Sequence, residues 1–126
     1  MVCFTGVLAL EEITVSRHNK AGRLKALFKA MPCTGAWGHF RGLMFSKKKN
    51  LFFVFKDEQI RSFHMFFVFF PIDVVLLDSK KRIVAVKEHF LPFTFYASKV
   101  TFQYAIEVDA GVVKAQKLRL GDVLLL

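Results

Sequence analysis

Three polar residues stand within or beside strongly apolar sequence, and each belongs to a type that binds or catalyses. His64 lies in the run FHMFFVFF, and Asp73 follows nine residues later, beyond Pro71. An imidazole and a carboxylate can act as an acid–base pair where the chain folds back to join them. A neutral histidine in an apolar strand needs at least one hydrogen-bond partner. The plainer reading of His64 is therefore a satisfied core histidine, and the sharper one a ligand or proton-transfer group. A buried carboxylate is costly unless paired, so Asp73 either caps backbone amides near Pro71 or meets His64 or Arg41 in a pocket. Arg41 precedes Gly42-Leu43-Met44-Phe45, and its forked guanidinium suits a carboxylate or phosphate. A structural bridge to Asp73, Asp78 or Glu107 competes with that role.

Other chemistry is weaker. His18, His39, His64 and His89 have no metal-helix spacing, and Cys3 and Cys33 lie thirty residues apart, so no zinc site and no cofactor is expected. Ligands gathered from separate strands of a jelly roll remain the alternative. No serine sits in a Gly-x-Ser-x-Gly turn, and neither glycine fingerprint for phosphates is present. Phe90, Phe93, Phe95 and Tyr96 crowd a loop around Pro92. They either seal the end of a barrel or, if exposed, stack bases or sugars. The formal charge of +9 admits a polyanion partner or serves only solubility. Its densest clusters, Lys47-Lys48-Lys49 and Lys80-Lys81-Arg82, fall in turns and read first as solvated loops.

The elements that must position these groups read mostly as strands. Residues 60–78 hold five phenylalanines and almost no charge between Arg61 and Asp73. The uncharged run 62–72 is far short of the roughly 20 residues a membrane helix needs. Phenylalanine and valine favour pleated surfaces, and a continuous apolar run fits a strand covered on both faces. Pro71, unable to donate to a ladder, marks a bend. Residues 51–56 form another buried strand with 56–59 as its turn, and 63–70 the next. Residues 72–77 and 82–88 pair as a hairpin across the polar turn 78–81.

Residues 101–108 alternate, with Phe102, Tyr104, Ile106 and Val108 inward and Thr101, Gln103 and Glu107 facing water. A short helix over 109–118 turns Val112, Ala115 and Gln116 to the sheet. Gly121-Asp122 turns into a last strand, VLLL. The pattern of 23–31 fits helix slightly better than strand, and a short helix starts at Thr34 or Gly35 and carries Trp37, Phe40, Leu43 and Met44 on one face.

A chain of 126 residues with 54% hydrophobic content suits one domain with its own core. Disorder does not fit that composition. Two cysteines are too few for a disulfide framework and read as free buried thiols. The apolar start at residues 2–10 lacks a preceding basic segment, and Glu11-Glu12 stand where a small-residue cleavage site belongs. Residues 1–22 are read as an edge strand or extension, and the protein as cytoplasmic and not membrane-bound. Strands at short intervals with one or two short helices describe a mostly β, single-domain sandwich or barrel-like fold.

Taken in order, WGHFRGLMF (37–45), HMFFVFFPIDVVLLD (64–78), KEHFLPFTFY (87–96), YAIEVDAG (104–111) and LGD (120–122) resemble the family known as domain of unknown function 192. The resemblance covers roughly residues 23–126, and the HMFFVFFPID wording is similar to its archaeal branch. Elsewhere in the family a tryptophan commonly stands at the position of His64, with a lysine-asparagine pair after the position of Met65. The resemblance implies a compact, mostly β fold with a short helix at the RGLM block, and it turns 23–31 from helix to strand. It implies no activity.

The leading expectation is a non-enzymatic accessory domain in which Arg41, His64, Asp73, Phe93 and Tyr96 border a pocket for a small ligand or peptide. The second is nucleic-acid contact through Lys47, Lys48, Lys49, Lys80, Lys81 and Arg82. The third is a hydrolase or metal-dependent enzyme using His64 and Asp73. A monomer or weak homodimer is expected, with VLLL or the amino-terminal strand pairing across a dimer.

Overall fold

The computed structural model describes residues 13–33, 50–64 and 70–126, with the backbone alone at 31–33, 63 and 64. Eight strands follow in chain order: β1 (Ile13–His18), β2 (Leu24–Cys33), β3 (Leu51–Gln59), β4 (Ser62–His64), β5 (Ile72–Leu77), β6 (Ile83–Phe90), β7 (Phe95–Ala97) and β8 (Phe102–Asp109). One helical turn, α1 (Val112–Ala115), comes after them. Six strands form a sheet in the order β1-β2-β3-β8-β5-β6, and β4 pairs with β7 in a second, two-stranded sheet. The fold is mostly β and sandwich-like, and among the described residues the sheet does not close into a barrel. No described helix is long and apolar enough to cross a membrane.

The large sheet is apolar on both faces because its central strands are. Leu51, Phe53, Ile72, Val74, Leu76, Phe102 and Ala105 pack on one face. Phe52, Val75, Leu77, Ile106 and Val108 pack on the other with Val113, Leu118 and Leu124. Every residue of β5 is buried, as expected of a strand covered on both sides.

Arg61 joins the small sheet to the large one. Its guanidinium stacks 4.1 Å from the Phe55 ring centroid and donates to the Phe102 carbonyl at 2.9 Å. Its carbonyl accepts from the Ser98 amide at 3.0 Å.

The carboxyl-terminal tail holds both edges of the large sheet. Leu125 bridges Ser16 of β1, and Val123 bridges Arg82 at the start of β6. Between them Leu124 is buried.

Several expectations change. Of residues 23–31, 24–31 are strand, as the resemblance implied and against the helical pattern, because β2 pairs antiparallel with β1 and continues in parallel beside β3. Residues 56–59 are no turn: β3 runs on to Gln59, which pairs with Phe102, and Glu58 accepts from the Ser79 amide. Of the strand expected at 63–70, the described part is β4. VLLL makes two single bridges and no continuous strand.

The expected helix to Leu118 stops after one turn, because Lys117 adopts φ 54° and ends it. The amides of Lys117 and Leu118 return to the Lys114 and Val113 carbonyls, the paired closure that normally uses glycine at the left-handed position. A side chain there costs on the order of 1 kcal/mol. Val113 and Leu118 are the residues buried, whereas Ala115 is exposed. Cys3 and the helix expected after residue 34 lie outside the described residues.

Truncating Leu124→Ala should lower stability by about 2–5 kcal/mol. A fall in the urea midpoint with an unchanged slope is the expected reading, and an unchanged midpoint would show that the tail does not hold the sheet edges.

Candidate functional site

Asp73 is completely buried in β5, and its carboxylate is committed to the backbone. Oδ1 accepts from the His89 amide at 3.0 Å. Oδ2 accepts from the amides of Gly111 at 2.9 Å and Val113 at 3.1 Å. The geometry follows from two irregularities. The β5–β6 register shifts between Ile72 and Val74, opposite Phe90 and Lys87, and His89 takes φ 50° in that bulge, turning its amide inward. Gly111, at φ 98°, starts α1 in a conformation that side chains resist. Asp73 thus performs the capping that sequence allowed, but on amides of β6 and α1 and not on those beside Pro71. Three of the roughly four acceptor directions of a carboxylate are filled.

Glu107 corrects the alternation argument, which placed it in water. It is fully buried because β8 lies between β3 and β5, where neither face is wet. Leu51 and Val74 are its neighbours across the two ladders. Burial pushes its carboxyl from the ordinary 4.5 up to about 7. Asp73 stands opposite Val108 and Glu107 opposite Val74, so the pleat sends the two carboxyl groups to opposite faces. They form no catalytic pair.

The other expected site residues are described only in part. The His64 backbone pairs with Phe95 in the small sheet, whereas the amides that hold Asp73 belong to β6 and the start of α1. Arg41 and Lys47, Lys48 and Lys49 lie outside the described residues. Phe93 and Phe95 are 53% and 68% exposed, whereas Phe90 is buried. The aromatic loop therefore both packs and faces water. Tyr96 stacks edge-on against Phe90 at 6.1 Å, and burial raises its phenol.

The 78–82 turn is held by Asp78, whose Oδ1 accepts from the amides of Lys80 and Arg82. Lys80 and Arg82 are exposed, while the Lys81 ammonium sits 5.9 Å from the Tyr104 ring centroid.

Two surface depressions hold what sequence reasoning missed. One, about 450 Å³, runs beside β6 and is lined by Val84, Val86, Tyr96, Lys99, Val100 and Leu120. The other, about 430 Å³, gathers Arg17, Lys20 and Lys25 from the β1–β2 hairpin with Lys117, Arg119 and Asp122. Nearly a hundred residues separate the two halves of the second, and no spacing rule could join them. For the first, the exposed apolar Leu120 and Val100 were a signal, since neither fits an alternating core pattern.

The family model DUF192, described as "Uncharacterized ACR", matches residues 18–126, and the chain belongs to that family. The relatives it resembles include a UPF0127 protein of Thermococcus sibiricus, 37% identical over 66% of this chain and 56% of that protein. A UPF0127 protein of Thermococcus kodakarensis is 36% identical over 68% of this chain and 56% of that one. The matched stretch thus spans little more than half the length of these relatives.

Two crystal structures share the fold. One, from Sinorhizobium meliloti and described as "a putative transcription regulator", superposes with a TM-score of 0.81 at 21% identity, over 95% of this chain and 97% of that one. The other, a protein of unknown function from Novosphingobium aromaticivorans, has a TM-score of 0.80 at 16% identity over 100% and 93%.

Replacing Asp73→Asn keeps the shape but sets an amide group against backbone donors, and should cost on the order of 3 kcal/mol. Chemical denaturation checks it; a loss well below 1 kcal/mol would mean the three contacts are dispensable.

Glu107 makes a separate prediction. Its folded-state affinity for a proton exceeds the unfolded one, so its contribution is complete below about pH 4.5 and is lost as pH rises to about 7. The decline is on the order of 3 kcal/mol. Glu107→Gln should flatten it, as read from stability measured across that range.

Proposed function

We propose that this chain is a binding module that accepts an extended peptide segment along the outer edge of β6. The groove beside that strand carries the reading. β6 ends the six-stranded sheet, and beyond the bridge at Arg82 no described strand pairs with its outer side. An edge strand offers unpaired backbone groups that a peptide can extend as a further strand, while alternate side chains fill pockets. Val84, Val86, Val100 and Leu120 supply such a pocket surface. Leu120 is 68% exposed. Lys99 lines the groove, and the Lys87 ammonium stands 5.8 Å from the Tyr96 ring. These cations, on a chain of charge +9, favour a peptide that alternates apolar and acidic residues.

Among the described residues of the pocket expected from sequence, Tyr96 lines this groove. Catalysis by Asp73 has less support, because its carboxylate is occupied by amides. Nucleic-acid contact through Lys80, Lys81 and Arg82 alone rests on one short turn.

The probe is an acetylated peptide of alternating valine and glutamate, added to nitrogen-labelled protein. Amide shifts should concentrate at Val84, Val86 and Val100, and Leu120→Glu should remove them while leaving the rest of the spectrum intact. Shifts that survive Leu120→Glu, or a groove that takes up an apolar dye but no peptide, would overturn the reading.

A further inference from the structure

The cleft between the β1–β2 hairpin and the loop after α1 has an unusual charge balance. Five cationic side chains line it, Arg17, Lys20, Lys25, Lys117 and Arg119, against the one carboxylate of Asp122. Arg17 takes that carboxylate at 2.8 Å, which leaves four cations. Among the described residues none of those four has an ion-pair partner. Like charges gathered at one surface repel, and an anion is what relieves them.

The cleft is also built. Arg17 donates to the carbonyls of Gln116 at 2.9 Å and Lys117 at 3.0 Å, so β1 clamps the end of α1. Asn19 Oδ1 accepts from the amides of Ala21 and Arg23, each at 2.9 Å, and fixes the hairpin turn. Lys117 occupies the left-handed position where glycine is usual. A strained backbone invites a functional explanation, and here it sets a lysine at the cleft wall.

The surface does not end there. Lys117 and Arg119 also line an adjoining depression of about 580 Å³, which adds Lys114 and His89 on one side and Glu88 as its one acid. Arg82, bridged to Val123, adjoins the cleft residue Asp122. Two depressions sharing their cations make a track and not a single-phosphate socket. Among the described residues neither is lined by a phenylalanine, tyrosine or tryptophan, so the described lining offers charge and not a stacking platform. We infer that this track binds the phosphate backbone of a nucleic acid through charge, without reading its bases. The inference stands apart from the β6 groove, with which it shares no lining residue.

The test measures binding of the full chain to a labelled DNA duplex of mixed sequence between about 50 and 200 mM salt. Lys25→Ala with Lys117→Gly removes two cations from the track. Lys25 is exposed and glycine accepts φ 54°, so the fold is kept. The control, Lys29→Ala with Lys56→Ala, removes the same charge from exposed positions outside it. The track variant should lose about tenfold in affinity at the lower salt and lower the salt slope by about 2, while the control changes affinity less than about twofold. Equal losses in both variants would reduce the effect to net charge and overturn the inference. So would uptake of inorganic tripolyphosphate without uptake of duplex, or the absence of salt-dependent binding.

Discussion

The Asp73 carboxylate is the constraint on which the arrangement depends. In one group it satisfies an inward-turned amide in the β6 bulge and two amides at the start of α1. The Val113 amide would otherwise be buried without a partner, which is more costly than the net worth of a made hydrogen bond. The consequence is positional. The bulge fixes how β6 leaves the sheet edge, and the capped turn fixes where α1 starts, so one buried side chain sets the position of both.

The second organising fact is that β8 is central. It pairs along its length with β3 and β5, and its residues are covered on both faces. That is why Glu107 is carried into the interior, and why its carboxyl holds a proton near neutrality: the charged form loses its water without a low-dielectric medium returning the solvation. Asp73 and Glu107 illustrate two solutions to the same problem one strand apart. The first is surrounded by donors, the second is drawn toward its neutral form.

Much of the fold was legible. The hairpin of β5 and β6 across Asp78-Ser79-Lys80-Lys81 follows from β-branched runs around a polar turn, and the break at Pro71 from its missing donor. The motifs shared with the family corrected 24–31 where periodicity alone misled, since Leu24, Leu27, Phe28 and Met31 follow helical spacing while Leu24, Ala26, Phe28 and Ala30 alternate as a strand would. Glu107 failed for the opposite reason. Alternation presumes one wet face, and the apolar Ala105 on the same side as Glu107 was the sign that this face is dry. The basic cleft was not readable at all, because Arg17 and Lys25 are joined to Lys117 and Arg119 only by the return of the chain after β8.

The two edges of the large sheet are treated differently, and that difference bears on function. The β1 edge is met by Leu125, with the Ser16 and Leu125 amides and carbonyls exchanged at 2.9 and 2.8 Å. Among the described residues the β6 edge is met only at its start, through Arg82, Ile83 and the tail. Soluble proteins generally blunt an open edge with charge, bulges or a covering segment. Here a bulge and Lys87 lie toward one end of β6, yet Val84 and Val86 remain beside the exposed Leu120 and Val100. Protection confined to one part of an edge limits pairing to the remaining part. The stretch left open is short and apolar, and Lys99 and Lys87 stand beside it.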